Sequence, residues 1–161
     1  MIRAKIIADS IASGIRIITF ELEYPRFIHS ELMTHRVFSR NAASSRAIPI
    51  QTMNDNIANN PAMPVHWGKN QAGMQADIEV QFDIQQQAIY EWNYAKNDAI
   101  MHSNQLARLG IHKQIANRVT EPFQHMKTVV TATEWDNWFE LRAHKDAQPE
   151  IQSLATAMLY A

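Results

Sequence analysis

The run THRVFSRNAASSR, Thr34 to Arg46, is chemically the most pointed part of the chain. It sets Arg36, Arg46 and His35 among four hydroxyls (Thr34, Ser39, Ser44, Ser45) and the amide of Asn41, with no carboxylate. Its only bulky apolar residues are Val37 and Phe38. Guanidinium groups make charge-assisted, often bidentate bonds to phosphate oxygens. Serine hydroxyls and backbone N–H groups of a small-residue turn fill the remaining phosphate positions. Two readings stand side by side: a solvated basic loop, and a seat for a small anion.

The rest of the composition narrows the second reading. With 161 residues and 18.5 kDa the chain is read as one domain, large enough to bury a core. Its apolar and charged fractions, 46% and 19%, are those of an ordinary globular protein. A net charge of −1 provides no field for a nucleic-acid duplex, so any bound anion is expected to be small and held locally. The absence of cysteine excludes disulfides, thiolate metal sites and a cysteine nucleophile. The seven histidines show no metal-ligand spacing, so no metal is expected. No apolar run approaches the ~20 residues of a membrane span. MIRAKIIADS lacks the long apolar core of a signal peptide, so the expected location is cytoplasmic, with no membrane partner. The final Met158-Leu159-Tyr160-Ala161 is apolar and reads as mid-helix, which suggests a C-terminally shortened chain or an end packed on a partner.

Around the central run, apolar periodicity predicts an α/β protein of the α+β type: a small antiparallel sheet packed with a long helix and several shorter ones. Ile2, Ala4, Ile6 and Ala8 alternate like a strand, Ser13-Gly14 turns, and Ile15–Tyr24 is a β-branched run, which together predict a hairpin. After Pro25 a helix is expected over about Arg26–Arg36, with Arg36 at its cation-favouring C-terminus. Asn41–Arg46 reads as an ordered loop and Ile50–Asn59 as a short helix. Asn60–Met74 reads as a long loop whose His66, Trp67 and Lys69 cover a flat ring, or whose Trp67 plugs the core. A long helix is expected over Asp77–Leu109, with Ile84, Ile89, Trp92, Ala95, Ala99 and Leu106 near one face and Gly110 as its stop. Further expectations are a helix over Lys113–Glu121, a third strand over His125–Thr131, a helix over Glu134–Ala143 capped by Thr133, and a last helix over Asp146–Tyr160.

A second chemical segment, TATEWDNWFELRAHKDAQPEI, spans Thr131–Ile151. Trp135, Trp138, Phe139 and Arg142 recur at helical spacing, so Arg142 shares a face with an apolar stripe. A guanidinium beside buried aromatics requires an acceptor. Either Glu150 or Asp146 supplies it, or a ligand does.

Both segments resemble the flavin-dependent thymidylate synthases. That family's signature is R-H-R, two residues, S, one residue, N, two residues, S, one residue, R. His35, Arg36, Ser39, Asn41, Ser44 and Arg46 fall in register with it, and Thr34 replaces the first arginine. Asn137, Trp138, Phe139, Leu141 and Arg142 resemble the family's N-F-L-x-L-R run; Ala147, Gln148, Glu150 and Ile151 resemble A-Q-x-E-I. Departures are Glu31 for a glutamine, Ala42 for an acidic residue, and Thr131-Ala132-Thr133 for an Asn-x-Arg that contacts flavin. The family's arginine before the third strand finds its nearest counterpart in Arg118.

The resemblance implies reductive methylation of dUMP to dTMP. FAD is the cofactor, NADPH and methylenetetrahydrofolate are co-substrates, and a homotetramer shares its sites between subunits. No enzyme nucleophile is needed, in keeping with the missing cysteine. Carried onto this chain, Ser44, Ser45 and Arg46 hold the dUMP phosphate, with Glu31 and Arg118 as further substrate contacts. His35, Arg36, Ser39, Asn41 and Asn137 contact FAD. Arg142, the catalytic residue, polarises the uracil ring. The altered positions keep two alternatives open: a related pyrimidine-nucleotide one-carbon transfer such as hydroxymethylation, and a non-catalytic nucleotide-binding protein on the same scaffold.

Overall fold

A computed structural model describes residues 1–161. In chain order the elements are β1 (Arg3–Ala12), β2 (Ile15–Pro25), α1 (His29–Met33), β3 (Ser39–Ala42), α2 (Ile50–Asn59), α3 (Phe82–Arg108), α4 (Lys113–Ala116), β4 (His125–Ala132), α5 (Asp136–Arg142) and α6 (Pro149–Leu159). The class is α+β, as expected: a four-stranded antiparallel sheet, six helices and one long helix among them. The chain forms two compact units, Met1–Ala43 with His125–Ala161, and Ser44–Gln124. No helix is long and apolar enough to cross a membrane.

The first unit is a sheet of order β1-β2-β4-β3 with helices on one face. In β2, Phe20, Leu22 and Tyr24 alternate with Thr19, Glu21 and Glu23, and only the former set is buried. Met126, Val130 and Ala132 of β4 continue that face, and Leu32, Trp138, Ile151, Leu154 and Met158 cover it from the helices. The predicted hairpin forms, turning at Ser13 (φ 52°) and Gly14 (φ 79°). Two consecutive positive φ angles match the right-handed twist of the strands, and glycine adopts the second without a Cβ clash. The expected alternation of Ile2, Ala4, Ile6 and Ala8 breaks at a bulge between Ile6 and Ala8, which moves Ala8 to the exposed face opposite Thr19.

Several expected boundaries are corrected. The helix over Arg26–Arg36 is a 3-10 turn at Arg26–Ile28 followed by a short α1. Thr34 Oγ1 bonds back to the Glu31 carbonyl (2.6 Å), and Arg40 Nη1 takes the carbonyls of Leu32, Met33 and His35 at 3.1, 2.9 and 2.9 Å. Asn41–Arg46 is not wholly loop. Asn41 and Ala42 belong to β3, an edge strand whose partner β4 is remote in sequence, which makes His125–Ala132 the fourth strand. α5 begins at Asp136 and is not capped by Thr133, because Trp135 is drawn out of helical geometry to pack on Phe20 and Phe38. α6 starts only at Pro149, which holds Gln148 extended, and Gln148 Oε1 accepts the Ile151 N–H at 3.0 Å.

The second unit contains α2, as expected, and α3. α3 starts at Phe82 instead of Asp77, because Glu79 bridges Gly68 and the Val80 N–H donates to the Trp67 carbonyl. Its inward face carries Ile89, Trp92, Lys96, Ala99 and Ser103 at spacings of three and four, while Ile84 and Ala95 are exposed. Gly110 (φ 78°) ends it in a Schellman arrangement, with Gly110 N–H to Ala107 O and Ile111 N–H to Leu106 O, both 3.0 Å. Trp67 is half-buried, edge-on to Trp92 at 6.3 Å. The helix predicted over Lys113–Glu121 stops at Ala116, where the Asn117 side chain is committed elsewhere.

Candidate functional site

In the first unit, α5 delivers Arg142 to the start of the signature run. Arg142 Nε donates to His35 Nε2 at 2.9 Å, Nη1 lies 3.5 Å from Glu31 Oε2, and Nη2 lies 3.5 Å from Thr34 Oγ1. The acceptors are therefore Glu31 and His35, in place of the expected Glu150 or Asp146. Two segments more than a hundred residues apart meet at one guanidinium, carried on a side chain that is 23% exposed.

His35 is 6% exposed, between Phe38 (ring centroids 5.8 Å, near-parallel) and Trp138 (4.7 Å, edge-on). Burial, followed by the charges of Arg142 and Arg40, holds its pKa below the ordinary histidine value. Accepting the Arg142 N–H at Nε2 requires the neutral ring, with its proton on Nδ1. The neutral imidazole thus fixes one edge of the guanidinium and the Glu31 carboxylate flanks another. The third donor edge meets only a long hydroxyl contact. Such a group polarises a carbonyl or stabilises an anionic ring edge.

Behind it, Arg40 anchors the end of α1 through its three carbonyl contacts. Arg40 stands outside the set of residues expected from the sequence. Its one signal was position, since in β3 it alternates with Ser39 and Asn41 and so faces the helices. Tyr24 is buried beneath α1, its hydroxyl bonded to His29 Nδ1 (2.8 Å) and Thr128 Oγ1 (2.7 Å); burial pushes its pKa up to about 12.

Arg36, Ser39, Asn41 and Asn137 are exposed. Ser39 and Asn41 share the open face of the sheet, and Ser39 pairs with Thr131, which pairs with Thr19. Thr19 and Thr131 bond through their hydroxyls at 2.9 Å, so a row of hydroxyls crosses three strands. Thr19, too, stands outside the set of residues expected from the sequence. Arg36, Ser39 and Asn41 are rich in donors and free of carboxylates, a set that fits a phosphate-bearing cofactor such as a flavin dinucleotide. No group of three or more His, Asp or Glu side chains is arranged to hold a metal.

The remaining predicted residues belong to the second unit. Ser44–Ile48 forms a tight turn, with Ala47 N–H to Ser44 O (3.0 Å), Ile48 N–H to Ser45 O (3.3 Å) and Arg46 N–H to Ser44 Oγ (3.3 Å). Arg46 is exposed. Arg118 is exposed and lies 3.6 Å from Glu121. The structure brings Glu31, His35 and Arg142 together, and separately brings Ser44, Ser45 and Arg46 into one turn.

Comparison with known proteins gives three findings. Residues 15–161 match the family model described as thymidylate synthase complementing protein. No match to a curated protein sequence was found. Two crystal structures of a UMP/dUMP methylase, PolB from Streptomyces cacaoi, share the fold. The one bound with 5-Br UMP has a TM-score of 0.81 at 20% identity, covering 98% of this chain and 86% of that one. The one bound with 5-Br dUMP has a TM-score of 0.80 at 18% identity, covering 98% and 88%.

Proposed function

The chain belongs to the thymidylate synthase complementing protein family, and from that premise we propose that it transfers a one-carbon group to a pyrimidine nucleoside monophosphate, methylating dUMP to dTMP. The observation that carries this reading is the contact of Arg142 with His35, Thr34 and Glu31, since it joins the two segments that resemble the flavin-dependent thymidylate synthases. The nucleotides bound to the similarly folded PolB support the substrate class.

In this reading the turn Ser44–Arg46 takes the phosphate through the Ser44 and Ser45 hydroxyls and the Arg46 guanidinium, with Arg118 as an auxiliary cation. Arg142 meets the pyrimidine edge and stabilises negative charge that develops on the ring. His35 keeps that guanidinium in plane by accepting at Nε2. Glu31 limits its net charge and offers an acceptor to the substrate. Arg36, Ser39, Asn41 and Asn137 would hold FAD, by donor bonds to its phosphates and ring edge. When bound, the reduced flavin supplies the hydride that completes the methyl group, with NADPH as reductant and methylenetetrahydrofolate as carbon donor. The protein's own share is orientation and electrostatics. A homotetramer in the cytoplasm completes the proposal.

One observation favours a second reading. Glu31 and Thr34, both departures from the family's pattern, are two of the three residues that touch Arg142, His35 being the third. An added acceptor there suits transfer of a more polar group such as hydroxymethyl. Incubation with dUMP, methylenetetrahydrofolate, NADPH and FAD, followed by mass analysis of the nucleotide, separates the readings. A net gain of one CH2, from replacement of the ring hydrogen by methyl, is expected. A hydroxymethyl product would favour the second reading. Nucleotide binding without turnover, in a protein that also takes up no yellow cofactor, would refute both and leave a binding protein.

A further inference from the structure

Asn117 follows α4 and is fully buried, yet its side chain serves a turn some seventy residues earlier. Its Nδ2 donates to the carbonyls of Ser45 (2.9 Å) and Ile48 (3.0 Å), bracketing Arg46. The Asn117 carbonyl in turn accepts from Gln124 Nε2 (2.7 Å) and Thr120 Oγ1 (3.1 Å), both from buried residues. Lys113 Nζ donates to the Ala47 carbonyl at 3.1 Å. With the two backbone bonds inside the turn, the carbonyls of Ser44, Ser45, Ala47 and Ile48 are all engaged by donors of the protein.

Carbonyl oxygens repel an anion, so a turn that receives one must keep them directed away from it. Here the Ser44 and Ser45 hydroxyl protons and the Arg46 guanidinium remain for the ligand, Ser44 Oγ itself accepting the Arg46 N–H. Arg46 is exposed and has no carboxylate partner, so only the turn beneath it limits its freedom. We infer that Asn117 is the positioning residue of this anion-binding turn: it draws the Ser45 and Ile48 carbonyls inward so that Ser45 and Arg46 present donors to the phosphate of a nucleoside monophosphate. The inference rests on the reading of Ser44–Arg46 as the phosphate seat.

Asn117 makes no contact with the base in this account, so its removal acts on phosphate recognition alone. Asn117→Ala, and Asn117→Ser as a second variant retaining a buried hydroxyl, are compared with Arg46→Ala in binding dUMP and phosphate-free deoxyuridine. Both Asn117 variants are expected to bind dUMP about tenfold more weakly and deoxyuridine unchanged. KM for dUMP should rise while kcat at saturation holds, a split that a general loss of fold would not produce. If Arg46→Ala leaves the dUMP-to-deoxyuridine preference intact, the phosphate seat itself is wrong. If Arg46→Ala lowers that preference and the Asn117 variants do not, the positioning role is overturned. Should neither variant fold, amide exchange in the unliganded wild-type protein decides. Protected Ala47 and Ile48 amides support a preorganised turn, and freely exchanging ones overturn it.

Discussion

Replacing Arg142 with alanine removes three contacts of unequal worth. The 2.9 Å bond from Nε to the buried His35 is charge-assisted and contributes about 1.5–3 kcal/mol. The 3.5 Å pair with Glu31 joins side chains 23% and 35% exposed and adds about 0–1 kcal/mol. The 3.5 Å approach to Thr34 Oγ1 is too long to add much. Arg142→Ala should therefore destabilise the protein by about 2–4 kcal/mol near pH 8. The cost should depend on pH in a definite direction. His35 has a pKa held below the ordinary 6.5 in the fold, by burial first and then by the charges of Arg142 and Arg40. The unfolded chain therefore binds the proton more readily, so this stabilisation is complete above pH 6.5 and is lost as pH falls below it. Without Arg142 one cause of the depression is gone, and the folded His35 accepts a proton more easily. Acidification then costs the variant less than the wild type. Urea denaturation of both proteins at about pH 8 and about pH 5.5 tests this, because titrations elsewhere cancel in the difference. The gap should narrow in acid. A gap of constant size would show that Arg142 and His35 are not coupled, and the reading of His35 as the residue that orients Arg142 would fall.

Two further predictions concern the shell around that guanidinium. Trp138 is 1% exposed, and its indole Nε1–H is buried without a partner. Trp138→Ala should cost about 3–5 kcal/mol, whereas in Trp138→Phe the smaller cavity is offset by removal of the orphaned donor, leaving it within about 1 kcal/mol of wild type. Equal losses in thermal unfolding would refute that balance. Arg40→Ala should destabilise by about 2–3 kcal/mol by uncapping α1, and Arg40→Lys should recover only part, since all three bonds come from Nη1, an atom one bond farther from the backbone than a lysine ammonium. A loss under about 0.5 kcal/mol in denaturant titration would show that solvent caps those carbonyls equally well.

Local periodicity and spacing in the sequence determined the hairpin, the α2 helix, the Gly110 stop of the long helix, the α+β class and the family. In each case the deciding information lies within a few residues: the Ser13-Gly14 pair, the strict alternation in ITFELEY, and the six in-register positions of the signature. Tertiary structure alone decided the rest. β3 is a strand only because β4, some ninety residues later, pairs with it. Trp135 leaves its helix because Phe20 and Phe38 receive it, and Lys113–Glu121 is cut short because Asn117 turns to Ser45 and Ile48. Arg142 finds Glu31 and His35 instead of its neighbours Asp146 and Glu150 for the same reason. Contacts between residues far apart in sequence exist only once the chain has closed the loop between them, and no local pattern encodes which distant group will be there to accept the bond.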